Sequence, residues 1–228
     1  MISEFQARMR MLLFIPWSIF FNFHYLPFNQ ARKLPIIFYV RPTFLALKGK
    51  VVIDCPNIRF NMIRFGKCKA PMLPYKSFRW GNEGGTVCFK GRLELSHHAY
   101  ISCGGNGVLT FGDSNRFNFG CRFIAFKEIV FGDKVRGSWD CTFIDSDFHS
   151  LIDTVRGKPL KVSQPIRIDY GCWIGHNCII SKGVKLPKNS TVCAGSVVKG
   201  RFSQENTIIG GNIAKVLDEG YIRSDVSS

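Results

Sequence analysis

Between Ile168 and Ser203 an aliphatic residue returns at every sixth position: Ile168, Ile174, Ile180, Leu186, Val192 and Val198 head six consecutive hexads. The fifth position of each hexad is small or modest (Cys172, Cys178, Val184, Ser190, Ser196), with Phe202 the one large exception. A strand repeats every two residues and a helix about every 3.6. A sustained period of six therefore predicts short strands joined by turns, three to a coil, with the aliphatic head inside. The frame continues upstream with interruptions. Phe111-Gly112-Asp113 recurs as Phe131-Gly132-Asp133, and Cys121-Arg122-Phe123-Ile124 as Cys141-Thr142-Phe143-Ile144, while Leu95 and Ile101 keep the rhythm less cleanly. Most of residues 87–203 reads as one solenoid, buried coil on coil.

The period fails once, between Phe143 and about Gln164, which predicts a loop over residues 145–165 thrown out from the scaffold. Long excursions from a rigid framework are where function concentrates. Asp145, Asp147 and His149 lie at its root, and alternate residues of an extended segment share one face.

The first fifty residues differ in kind. They carry seven Lys or Arg against one acid, Glu4, and an apolar aromatic run from Met11 to Phe21. Broken by Pro16 and Ser18, that run falls short of the roughly 20 residues needed to cross a bilayer. Arg8 and Arg10 ahead of it imitate a signal peptide, but the following FNFHYLPFNQ offers no small-residue cleavage site. Two readings stay open: a cap on the open end of the solenoid, or an interfacial anchor whose aromatics and cations suit an anionic leaflet.

At 228 residues, 46% hydrophobic and 14% aromatic, the chain can bury one proper core and is not disordered. Its nine cysteines suggest metal or disulfides until they are placed in the repeat. Cys121, Cys141, Cys172 and Cys178 fall at fifth positions, where a small apolar side chain fills the inside of a turn, and no CxxC pair occurs. Reduced packing cysteines, no metal and a cytoplasmic compartment are expected. The formal charge of +15 does not choose a partner. No helix-turn-helix, zinc finger or aromatic RNA-reading motif accompanies it, so no nucleic acid is expected, and anionic small molecules or membrane surfaces suit the same field.

The loop root Asp-x-Asp-x-His is followed by WIGHNCIISKGVKL, then AGSVV, then GGNIAKV. That ordered set, over roughly residues 110–217, resembles the hexapeptide-repeat acyltransferases, nearest to the bacterial polysaccharide and sugar O-acetyltransferases. The resemblance implies an all-β fold, a left-handed parallel β-helix, usually a homotrimer with active sites between subunits, using acetyl-coenzyme A. On this reading residues 1–50 are an aromatic, basic cap, 51–216 the acyltransferase β-helix and 217–228 a tail. The family's tail usually reads Gly-Asn-Pro-Ala-Lys; here Ile213 stands in place of the proline.

Moving an acetyl group from a thioester to a hydroxyl requires a base for the hydroxyl proton, and histidine is suited to that. His149 is the candidate, with Asp147 or Asp145 orienting its ring. The oxyanion would need a backbone N–H from the Trp173–Cys178 or Cys193–Gly195 turn. Trp173 resembles the family's tryptophan beside the coenzyme arm, Ala194, Gly195 and Ser196 lack the bulk to block it, and Asn212, Ala214 and Lys215 match the tail motif. Lys215, with Lys199 as a second candidate, would meet coenzyme phosphates. His176, at a third hexad position, points outward as surface or as a neighbour of the site. His97 and His98, read as adjacent strand residues, would face opposite ways and not share a metal. The expected activity is O-acetylation of a sugar or lipid-linked glycan in surface polysaccharide biosynthesis, with peripheral contact to the inner face of an anionic membrane. An N-acetyltransferase on an amino sugar, a γ-type carbonic anhydrase without its three zinc histidines and a silent β-helix scaffold are the alternatives.

Overall fold

A computed structural model describes residues 4–68 and 77–226. Three sheets of nine, seven and six strands, parallel except for the last pair of the first, form the faces of a prism. The chain visits them in turn: Arg136–Gly137 on the first face, Thr142–Ile144 on the second, Ile166–Ile168 on the third, then Trp173–Ile174, Ile179–Ser181 and Lys185–Leu186 one coil further on. Strands of successive coils pair in register, as Phe123 with Phe143 and Phe143 with Ile180, with one shift after Phe44 in the first coil.

The repeat positions have separate physical jobs. The heads Ile168, Ile174, Ile180, Leu186, Val192 and Val198 are all buried, as are the fifth-position Cys121, Cys141, Cys172 and Cys178. The fourth position turns the corner with positive φ, at Gly120, Asp140, Gly171, Asn177, Gly183, Asn189 and Gly195. Glycine, Asn and Asp tolerate that left-handed region best. Each buried thiol also donates to a carbonyl of the following coil, as Cys141 to Gly175 (3.0 Å) and Cys172 to Pro187 (3.1 Å). Burial pushes Cys172 up to about 12 and Cys178 up to about 11, which holds both as inert thiols.

Upstream the heads become aromatic. Phe117, Phe123, Phe131 and Phe143 stack or meet edge to face at 4.9–5.7 Å, each burial contributing roughly 1.5–3 kcal/mol. Gly137 takes a head position because a Cβ there would lie 2.4 Å from the Phe117 ring.

The array starts earlier than its six-residue phase indicates. Ile36–Phe38, Pro42–Leu47 and Lys50–Ile53 form the first coil, pairing with Ile63–Phe65, Phe78–Asn82 and Thr86–Phe89. Two strands thus lie inside the segment read as cap. Ahead of the first coil lie three helices, α1 (Glu4–Leu13), α2 (Ile15–Tyr25) and α3 (Phe28–Ala31). Phe21 of α2 inserts among Phe38, Phe44, Phe65 and Trp80, and buried Asn22 donates to the Ile36 carbonyl while accepting from its amide. The opposite side of α2 exposes Ile19, Phe20 and Phe23. Among the described residues no helix is long and apolar enough to cross a membrane.

At the other end Thr207–Gly211 and Ala214–Glu219 form an antiparallel hairpin on the first face. The chain then runs back along the prism. Arg223 donates to the carbonyls of Lys134 and Cys172, tying residues of the tail to two earlier coils.

Candidate functional site

His149 sits in the loop between the second and third faces, exposed, with no hydrogen-bond or ion-pair partner among the described residues. The loop carries a small antiparallel hairpin, Ile152–Asp153 against Lys158–Pro159, and is anchored at both ends. Asp145 closes one end: fully buried, it accepts the backbone N–H groups of Phe126 (2.8 Å), Lys127 (2.9 Å) and Glu128 (2.7 Å). Burial raises its pKa, and those N–H groups work against the rise. Asp147 is exposed and pairs with Lys182, whose ammonium also donates to the carbonyls of Lys161 and Val162. Lys182 therefore holds both limbs of the loop from the next coil.

Asp145 does not share a face with His149: it is buried, whereas Asp147 and His149 are both exposed. The strand ends at Ile144 and Phe148 has a φ of 61°, so side-chain alternation does not run through the loop root. Both Asp145 oxygens are engaged by the 126–128 turn, which leaves Asp147 as the carboxylate on the solvent side.

The residues expected beside the coenzyme lie elsewhere. Trp173 lies on the first face, 43% exposed, its Nε1 donating to Ser138 Oγ (3.3 Å). The turn between the first and second faces carries a column of third-position residues, His97, Phe119, Trp139, His176 and Ala194, one per coil. His97 meets Phe119 edge-on at 4.9 Å and Trp139 stacks on His176 at 5.1 Å. The column ends in open space, since Ala194 and Gly195 are exposed and a Cβ on Gly195 would meet nothing within 4 Å. Along these turns the amides of Gly175, Asn177, Cys193 and Gly195 donate to carbonyls of neighbouring coils. Those of His176 and Ala194 have no acceptor among the described residues. Ser196 is buried, donating to the Cys193 carbonyl (2.7 Å) and accepting from Gly211 N (3.2 Å), so it braces the turn. Asn212, Lys199 and Lys215 are exposed, Ala214 is buried, and the Asn212–Ile213 peptide, where the sequence lacks the expected proline, is cis.

The fold thus brings Asp145, Asp147 and His149 to one corner and Trp173, His176, Ala194 and Gly195 to the first face and the adjoining corner. No hydrogen bond, ion pair or ring contact joins the two groups among the described residues. His97 and His98 correct an expectation: they are turn residues, not strand residues, and the positive φ of His98 (61°) sets both rings against Phe119. Burial, with His98 and Arg10 nearby, lowers the His97 pKa to about 4. No cluster of three His, Cys, Asp or Glu able to hold a metal occurs among the described residues. Sequence reasoning missed Lys182 and Trp139. Both occupy third hexad positions, the column that lines each corner, and that position was the available signal.

No family model matches the chain. The galactoside O-acetyltransferase of Lactococcus lactis subsp. lactis is 29% identical over 99 residues, 43% of this chain and 47% of that enzyme. The match therefore spans less than half of the relative's length. Among solved structures, the polySia specific acetyltransferase NeuO superposes with a TM-score of 0.59 at 19% identity, covering 84% of this chain and 80% of that one. At that identity the likeness is one of fold, and the shared architecture is the left-handed parallel β-helix of the hexapeptide-repeat acetyltransferases.

Proposed function

We propose that the protein is an acetyl-coenzyme A-dependent O-acetyltransferase acting on a sugar hydroxyl in surface polysaccharide biosynthesis. The observation that carries this reading is an exposed histidine on a loop pinned to a hexapeptide β-helix, followed two turns later by a bulk-free turn beside a half-exposed tryptophan. Galactoside O-acetyltransferase and the polySia specific acetyltransferase, by their names, acetylate sugars. That substrate class is carried over here as part of the proposal.

In this mechanism His149 takes the acceptor hydroxyl proton, and Asp147, held by Lys182, is the carboxylate available to orient the ring. The free amides of Ala194 and His176 supply the donors for the oxyanion that forms at the thioester carbon. Trp173 and the open Ala194–Gly195 turn flank the acyl arm, and Lys215, with Asn212 and held by the buried Ala214 beside it, faces the coenzyme's phosphates. Because His149 and the Ala194 turn lie at different corners of one prism, a complete site requires two copies side by side. A homotrimer about an axis parallel to the solenoid supplies that arrangement three times.

The test is coenzyme release from acetyl-coenzyme A by the purified chain across neutral, acidic and amino sugars and lipid-linked glycans. Turnover confined to hydroxyl acceptors is expected. Turnover of amino sugars alone would move the reading to N-acetylation, and thioester left intact by every acceptor would leave a non-catalytic scaffold.

We further propose that the exposed apolar side of α1 and α2, with Met9, Leu12, Leu13, Ile19, Phe20 and Phe23 beside Arg8 and Arg10, rests on an anionic membrane surface where a lipid-linked acceptor is presented. Co-sedimentation with anionic vesicles should exceed that with neutral ones and weaken as salt rises, since charge attraction is screened within about 10 Å at 0.1 M. Equal pelleting with both, or with neither, would leave α1 and α2 as a cap alone.

A further inference from the structure

A cleft of about 840 Å³ runs along the corner between the third and first faces, away from the His149 loop. Its walls carry seven cationic and three acidic side chains, so it is strongly positive even before the chain's overall charge is counted. The register of the first face builds this wall. Arg64 pairs with Glu94, Glu94 with Arg116, Arg116 with Arg136 and Arg136 with Trp173, each on successive strands. Strands lie about 4.8 Å apart, so the column from Arg64 to Arg136 spans about 14 Å and then reaches the tryptophan of the proposed acyl site.

The carboxylates already in the cleft show what it accommodates. Glu94 lies between Arg64 (2.9 Å) and Arg116 (2.8 Å). Burial works to raise its pKa, but Arg116, Arg64 and Lys67 outweigh that and hold it low. At the far end Asp225 pairs with Arg223 and, at 3.7 Å, with Arg136. Arg136 is itself half-buried and crowded by Arg223 and Arg116. Two further cations on the rim, Arg59 and Lys90, are exposed and have no ion-pair partner among the described residues. Asn115, 2% exposed, borders the cleft with an amide nitrogen that has no acceptor among the described residues. A surplus of guanidinium groups in a column, each suited to a planar carboxylate, is a site for an extended ligand with repeated acidic groups.

We propose that this cleft binds an acidic oligosaccharide, holding carboxylate-bearing sugar residues of the acceptor along the Arg64–Arg136 column so that the chain leads towards Trp173. The inference rests on the sugar acetyl-transfer reading for the word acceptor, but the binding stands apart from the chemistry. It makes the acceptor a polyanionic glycan and gives the large positive charge a specific task. Glycan is favoured over nucleic acid because the column runs in register into Trp173 and not into an array of stacking aromatics.

The experiment is calorimetric titration of the full chain, without coenzyme, with oligogalacturonate and with a neutral maltooligosaccharide of equal length. The acidic probe should bind at least about tenfold more tightly, lose affinity as salt rises, and weaken about tenfold or more in Arg59→Gln/Lys90→Gln, whose exposed side chains support no packing. Equal binding of both probes, or an unchanged affinity in a double variant that also melts like the parent, would overturn the proposal. So would a single-stranded oligonucleotide of matched charge, or coenzyme A alone, binding more tightly with the same dependence on Arg59 and Lys90. Acidic-probe binding with no coenzyme release on any acceptor upholds the cleft and removes the transfer reaction. Turnover on neutral sugars with no acidic-probe binding removes the cleft and leaves the reaction standing.

Discussion

Replacing His149 by Ala is expected to lower kcat by roughly 10²–10⁴-fold, the usual worth of positioned proton transfer, with little change in the KM for acetyl-coenzyme A. The ring is exposed and takes no hydrogen-bond or ion-pair partner among the described residues, so its loss removes no such contact there. The melting temperature should therefore stay at the parent value. Steady-state kinetics with a saturating acceptor distinguishes this from a general weakening of the site. Lys215→Ala is the contrast: the phosphate contact proposed for it is remote from the thioester and holds ground and transition states alike, so KM is expected to rise and kcat to be largely spared. A folded His149→Ala protein with near-normal turnover would overturn the mechanism and make His176, stacked on Trp139 at the other corner, the next candidate.

The regular coils were legible in the sequence because each hexad position answers to one physical demand. Ile174 must fill the prism, Cys178 must fit inside a turn, and Asn177 must accept a positive φ. Upstream the demand is the same but the spacing is not. The connection at residues 54–62 interrupts the count between coils, so Ile36 and Phe38 do not announce themselves as heads. The loop was legible as a break in period, and its contents only in part. Strict alternation would put Asp145 and His149 on one face, whereas a left-handed residue at Phe148 turns the chain. Lys182 and the arginine column were hidden for a simpler reason. Arg64, Arg116 and Arg136 become neighbours only once the register of every intervening coil is known.

Asp145 and Asp147 should separate cleanly on mutation, because one carboxylate holds backbone and the other faces solvent. Asp145→Ala leaves the amides of Phe126, Lys127 and Glu128 without their acceptor, and at about 1 kcal/mol or more for each stranded group the cost is expected to be about 3 kcal/mol. Asp145→Asn should cost somewhat less, since its amide oxygen can still accept from one side while its NH₂ is forced against N–H donors on the other. Burial raises the Asp145 pKa above its ordinary 3.8, so the native state binds this proton more tightly than the unfolded chain does. The contribution of that proton to stability is complete below pH 3.8 and is lost as pH rises through the raised value. In either variant that part of the stability-versus-pH slope should vanish. Asp147→Asn, by contrast, breaks only the partly exposed pairing with Lys182, whose bonds to the Lys161 and Val162 carbonyls remain, and should change denaturant midpoints little while lowering kcat, less than His149→Ala does. Urea titrations between pH 3 and pH 7 alongside turnover measurements read both quantities. A stable Asp145→Asn protein with kcat reduced about a hundredfold would show Asp145, not Asp147, to be the carboxylate that orients the histidine.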